Sequence, residues 1–171
     1  SITMDVRISM YFPYFRGKQN ELITIRNNAS LMAQAGFVPI IEPVKETLNG
    51  LKRALDSVVN SKGRAIVIVN PFHGDYSKNG DSLTNLLADH FDGEDGISAG
   101  ILLTNEISLE AAISSCKAHE QHSLTLIHAG FAYARELSNA LGDKVKDITH
   151  CFFEEDAGKL YQKHFMAAKS K

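Results

Sequence analysis

Two stretches of this chain share one pattern: FVPIIEPVKE from Phe37 to Glu46, and AIVIVNPFHG from Ala65 to Gly74. Each is a short, continuous run of β-formers that ends in a polar residue and then proline, Glu42-Pro43 and Asn70-Pro71. Continuous rather than alternating apolar runs are what strands buried on both faces require. Further runs of this kind, such as ILL near residue 102, are separated by segments with helical spacing of apolar residues. Strands buried on both faces and alternating with amphipathic helices imply an α/β fold built on a parallel sheet.

The helical segments are legible from their periodicity and their ends. Leu22, Ile25, Ala29 and Met32 share one face of a helix expected from about Glu21 to Gln34, with Asn20 as N-cap and Gly36 just past the end. A second helix should start near Thr47 and stop before Gly63; a short third one carries Leu83, Leu86 and Leu87. Ser108 is placed to cap a fourth, and a fifth should run from Tyr133 to Leu141 and stop at Gly142. The strands are expected at Val6–Phe15, Phe37–Ile41, Ala65–Val69, Ser98–Leu103, Ser123–Ile127 and Asp147–Phe153. Pro13 must then lie at a strand end or on a sheet edge. A last helix is expected from about Gly158 onward.

The spacing of the strand ends limits the architecture. They fall near Tyr14, Glu42, Asn70, Thr104, His128 and Phe153, in steps of 28, 28, 34, 24 and 25 residues. A closed (β/α)₈ barrel takes about 250 residues, or roughly 31 per unit. The 171 residues therefore hold about six units. The expectation is a single α/β domain over residues 1–171, an incomplete barrel lacking its C-terminal units. An open doubly wound sheet is the alternative. Ser1–Thr3 ahead of Met4 read as a cloning remnant.

Several function classes recede on sequence grounds. There is no G-x-G-x-x-G, no G-x-x-x-x-G-K-[ST] and no G-x-S-x-G, which disfavours the usual nucleotide-binding loops and the hydrolase elbow. A net charge of −2, with Lys and Arg scattered, does not imply nucleic acid. No run of 18 apolar residues suggests a membrane span, and the first ten residues are not a signal peptide. Cys116 and Cys151 have no metal spacing and read as buried thiols of a cytoplasmic protein. His119 and His122 lack a third ligand beside them, and DGEDG lacks calcium-loop spacing. No metal-ligand set is assigned.

In parallel α/β architectures the loops after the strand C-termini build the site. The polar residues there are the candidates. Glu42, Lys18 and His128 are the candidate catalytic groups. Arg16, Glu21, Lys45, Asn70, His73, Asp75 and Asn105 are candidate ligand contacts. A carboxylate near a cation can act as a base, Arg and Lys can take phosphate or carboxylate, and an Asn–His–acid set can hold Mg²⁺. For each there is a plainer role: a rim ion pair for Glu42 and Lys45, a hydrogen-bonded core imidazole for His128, and solvated loop positions for His73 and Asp75.

The segment YFPYFRGKQNEL (Tyr11–Leu22), followed by PIIEPVK (Pro39–Lys45), resembles the opening of the "beta protein" family of bacteria and phages. That resemblance implies a barrel-like α/β fold in a bacterial cytosolic protein associated with phage defence or mobile elements. Members run to about twice this length, so it also implies that further units belong to the same mouth. It transfers the positions Arg16, Lys18, Glu21, Glu42 and Lys45 but no reaction. The function expected is a bacterial or phage protein with a polar, anion-accepting pocket for a small anionic ligand. The alternatives are a metal-assisted hydrolase or lyase and an interaction module with no small-molecule site. An open sheet edge must be paired or covered, so a homo-oligomer is expected.

Overall fold

The computed structural model describes residues 11–70, 81–152 and 169–170; for Lys45, Asp81 and residues 145–147 and 169–170 it describes the backbone alone. Six strands, β1 (Tyr14–Gly17), β2 (Ile40–Pro43), β3 (Ala65–Ile68), β4 (Ile97–Thr104), β5 (Ser123–Ala129) and β6 (Thr149–Phe152), form a parallel sheet. They lie in strict chain order. Five helices alternate with them: α1 (Gln19–Ala35), α2 (Leu48–Asn60), α3 (Asp81–Phe91), α4 (Leu109–Ala118) and α5 (Ala134–Leu141). Among the described residues β1 pairs only with β2, so the sheet is open.

Three of the helices begin or end where their sequence provides the chemistry. Ser108 accepts a hydrogen bond from the Ala111 N–H at 3.1 Å and so caps α4. Gly36 ends α1 in the left-handed region at φ 72°, and Gly142 follows α5 at φ 60°, conformations that cost a glycine little. Asn20 lies inside α1 rather than capping it. The cap position is Lys18, which makes no side-chain bond to the helix. Pro13 precedes β1, and its carbonyl accepts from the Ile40 N–H at 2.8 Å. A proline is tolerated there because the strand is at the sheet's edge.

The doubly wound alternative needs a reversal of strand order and helices on both faces. Neither occurs among the described residues. All five helices pack on one face, where Leu22, Leu55, Leu87, Cys116 and Leu137 meet Ile41, Val67, Ile101, Leu103 and Leu126 of the strands. Among the described residues the other face carries a second cluster made without any helix: Phe12, Tyr14, Val38, Ile40, Ile66, Ile68, Leu102, Ile127 and Cys151. These side chains are 8% exposed or less. Unbroken order with one-sided helices is the winding of a barrel, so the observed fold is an open α/β sheet wound like part of one.

The final segment departs from expectation. Lys169–Ser170 is not helical but a short strand, β7, antiparallel to β6 with Cys151 opposite Ser170. Pairing with the exposed edge of β6 supplies the ladder bonds that a helix would leave unmade. Residues 6–10 of the first expected strand, and the start of the last expected helix, lie outside the described residues.

Candidate functional site

The site candidates divide according to which face of the sheet they occupy. Parallel-strand neighbours point to the same side, and residues two apart on a strand do so as well. Arg16 at the end of β1 and Glu42 at the end of β2 are register partners. Glu42 lies two residues beyond Ile40, so both side chains belong to the helix-free face. Asn70, two beyond Ile68, continues that face past the end of β3.

Glu42 is 2% exposed. A carboxylate withdrawn this far from water needs polar partners, and Glu42 has an interaction partner here. Arg16 is half-buried, and its Nε is buried without a hydrogen-bond partner among the described residues. Lys18 is exposed; its N–H turns back to the Arg16 carbonyl at 2.8 Å and its carbonyl accepts the first helical bond from Leu22. Glu21 sits in the first turn of α1, where a carboxylate is favoured by the helix dipole, and it is also engaged.

The ends of β1 and β2 are pinned together. The Thr47 hydroxyl, on the short 3₁₀ turn Lys45–Thr47, donates to the Gly17 carbonyl and contacts the Val44 carbonyl at 3.1 Å. A Cβ on Gly17 would meet the Glu42 carbonyl oxygen at 3.0 Å and the Pro43 Cα at 3.2 Å. A side chain here would push the two backbones apart by a few tenths of an ångström. The close approach fixes the backbone that carries Arg16 against the backbone that carries Glu42. Lys45 lies on the same turn.

Asn70 is held by the fold. Its Nδ2 donates to the Leu102 carbonyl at 2.9 Å, and its Oδ1 accepts from the Leu102 N–H at 2.7 Å. The last backbone bond of this ladder runs from the Val69 N–H to the Gly100 carbonyl. The next residue but one, Pro71, carries no N–H to continue it. The side-chain amide therefore stands in for a peptide group and extends the ladder by one step. Asn105 is exposed in the turn after β4, its Cβ 3.8 Å from where a Cβ on Gly130 would be. His73 and Asp75 lie outside the described residues.

His128 is not brought to Glu42. Its register partners are Leu103 and Phe152, and Leu103 packs in the helix-side core. There His128 Nε2 lies 2.9 Å from His150 Nδ1. The ring planes are within 15° while the centroids are 5.2 Å apart, so the rings meet nitrogen to nitrogen rather than face to face. Phe152 stacks on His128 at 4.5 Å. Burial, then the neighbouring His150, push the His128 pKa down to about 4, and burial lowers that of His150. Two neutral rings then share one N–H···N bond. The sequence reading did not single out His150, because its role depends on the β5–β6 register.

The histidines near α4 are also placed by packing. His119 is 3% exposed, with Nε2 3.3 Å from the Thr84 hydroxyl. Burial, then the nearby His122, push its pKa down to about 4. Both cysteines are free and buried, and burial pushes the Cys116 thiol up to about 11 and Cys151 up to about 12. Such thiols are inert at neutral pH. Among the described residues no group of three or more His, Cys, Asp or Glu side chains can hold a metal ion. Among them too, no helix is long and apolar enough to cross a membrane.

What the helix-free end offers chemically is a guanidinium and a buried carboxylate on adjacent strands, held at fixed spacing by the Thr47 and Gly17 contacts. Arg can present paired N–H donors to a carboxylate or phosphate, and a carboxylate beside it can orient a ligand's own donors. Compared with known proteins, the chain matches no family model, no curated protein and no solved structure.

Proposed function

We propose that this chain binds a small phosphorylated or carboxylated molecule at the C-terminal ends of β1 and β2, with Arg16 taking the anion and Glu42 orienting it. One observation carries the reading: Arg16 and Glu42 are register partners on the helix-free face, and the Arg16 Nε is buried yet unpartnered among the described residues. A buried guanidinium donor left without an acceptor is costly, and a bound anion would satisfy it. Lys18 at the mouth adds positive charge, and α1 starts beside it with its N–H groups directed outward. In keeping with the resemblance of Tyr11–Leu22 and Pro39–Lys45, the reading includes a cytosolic protein encoded by a bacterium or a phage, a homo-oligomer associated with defence or mobile elements. The burial of Glu42 favours one second reading, an enzyme in which this carboxylate is the base or a Mg²⁺ ligand.

The test is a thermal-shift screen of wild type, Arg16→Gln and Glu42→Gln against inorganic phosphate, citrate, nucleotides and Mg²⁺. A ligand of the folded state adds about 2.7 kcal/mol of stability at a hundred times its dissociation constant. The expected outcome is a melting-point rise with an anion that Arg16→Gln abolishes. A rise that needs Mg²⁺ as well, and that Glu42→Gln removes, selects the enzyme. Equal shifts in all three proteins, or none with any anion, would refute the site.

A further inference from the structure

Charge is divided between the two halves of the sheet. Because the strands lie in chain order, halves of the chain are also halves in space. Residues 11–70, with β1–β3, α1 and α2, carry eight Lys and Arg against four Asp and Glu. Residues 81–152, with β4–β6 and α3–α5, carry four against eleven. A molecule with one basic and one acidic side attracts a second copy where unlike sides meet and repels it where like sides meet.

Each side also exposes an apolar feature. On the basic side a notch of about 160 Å³ lies between α1 and α2, lined by Leu22, Ile23 and Gly50. That is close to the roughly 150 Å³ that holds a benzene-sized ring. Arg26 and Arg53 flank it; both are exposed, and neither forms an ion pair among the described residues. On the acidic side Tyr133, at the start of α5, is 48% exposed, and its ring stands edge-on to Phe131 with centroids 5.8 Å apart. Glu136, three residues on, shares its side of α5, while Arg135 falls on the far side. Glu110 opens the neighbouring helix α4. Both carboxylates are exposed, and neither forms an ion pair among the described residues. A two-fold dimer through α1 would set Arg26 and Arg53 against their own copies, so charge favours a contact between unlike faces.

We propose that copies of this chain associate head to tail, with Tyr133 of one copy seated in the α1–α2 notch of the next and Arg26 and Arg53 facing Glu110 and Glu136. The contact rests on the homo-oligomer included in the function proposed above, and it gives that oligomer a geometry. Tyr133 supplies the affinity as a buried aromatic anchor, strengthened by guanidinium groups over its ring. The exposed charges choose which faces meet and hold them only weakly. Each copy uses a different face toward each neighbour, so the assembly grows or closes into a ring rather than stopping at two. The notch and Tyr133 both lie near the starts of their helices, so the copies stand side by side with their strand C-termini at the same end.

The test is sedimentation velocity of the whole chain at roughly 1–100 μM. Wild type should form species larger than a dimer as concentration rises, and association should weaken about tenfold when salt is raised from about 0.05 to 0.5 M. Tyr133→Ala should weaken it about tenfold or more. A variant carrying Arg26→Glu and Arg53→Glu loses only the basic face, and one carrying Glu110→Lys and Glu136→Lys loses only the acidic face. Each alone should be a monomer. Mixed in equal amounts they should form a heterodimer that grows no further, which also shows that both are folded. A wild type that stays monomeric at every concentration overturns both this contact and the homo-oligomer. A wild-type oligomer unaffected by Tyr133→Ala and by both charge reversals leaves the homo-oligomer standing and overturns the contact. So does a wild type that stops at the dimer, or a mixture of the two variants that stays monomeric.

Discussion

Replacing Asn70 by Ala separates a structural amide from a ligand-binding one. The wild-type side chain satisfies both the N–H and the carbonyl of Leu102, at 2.7 and 2.9 Å. Leu102 is 2% exposed, so its backbone groups have little water to turn to. An orphaned buried polar group costs about 1–3 kcal/mol. Asn70 itself is half-buried at the strand's end, where water can partly replace the lost amide. Two groups at the lower part of that range give a loss of about 3 kcal/mol. In a chain of this size that lowers the melting point by roughly 6–12 °C. Urea unfolding followed by circular dichroism measures it, with an unchanged m-value expected.

Asn70→Asp sharpens the test. The carboxylate keeps the acceptor toward the Leu102 N–H but sets a second oxygen against the Leu102 carbonyl. Only the protonated acid can donate there, so the folded variant favours the protonated form and its carboxyl pKa is raised. The folded state then binds more protons than the unfolded one. The variant should gain stability as pH falls from that raised value toward about 4, opposite to ordinary acid destabilisation. A loss under about 0.5 kcal/mol for Asn70→Ala, coupled with loss of anion binding, would refute the ladder role and return the amide to the ligand.

The remaining predictions concern other sites. His119 titrates in the folded protein near 4, against an ordinary value of 6.5. The unfolded chain therefore binds the proton first, and this group's contribution falls as pH drops from about 6.5 to about 4, by an amount on the order of 3 kcal/mol; His119→Leu should remove that share of the slope and leave the share due to His128. Gly100→Ala places a Cβ 2.7 Å from Ile66 Cγ2 and 3.1 Å from Ile127 Cδ1, and should destabilise by about 1–3 kcal/mol in the same unfolding assay. Thr47→Val removes the hydroxyl that joins the ends of β1 and β2; it should cost about 1 kcal/mol and weaken anion binding more than stability alone explains. Sedimentation at roughly the micromolar concentrations where specific complexes form tests the homo-oligomer, which a clean monomer would exclude.

The sequence by itself determined the succession of elements. Runs such as AIVIV and ILL must be buried on both faces whatever surrounds them, and the spacing of Leu22, Ile25 and Ala29 allows only a helix with one apolar side. Local chemistry likewise set Ser108 as a cap and Gly36 as a terminator, because both act within a few residues of themselves. The six-unit count followed from chain length and the spacing of the strand ends. Tertiary structure decided the strand order, the single side on which the five described helices lie, and the pairings across strands. Glu42 and His128 both stand at strand ends, yet a parallel register with period two sends one to the helix-free face and the other against His150. Asn70 is a polar strand-end residue in the sequence, and only the fold shows that Leu102, 32 positions away, engages both its Nδ2 and its Oδ1. Such outcomes depend on register between strands far apart in the chain, and a shift of one residue would reverse each of them.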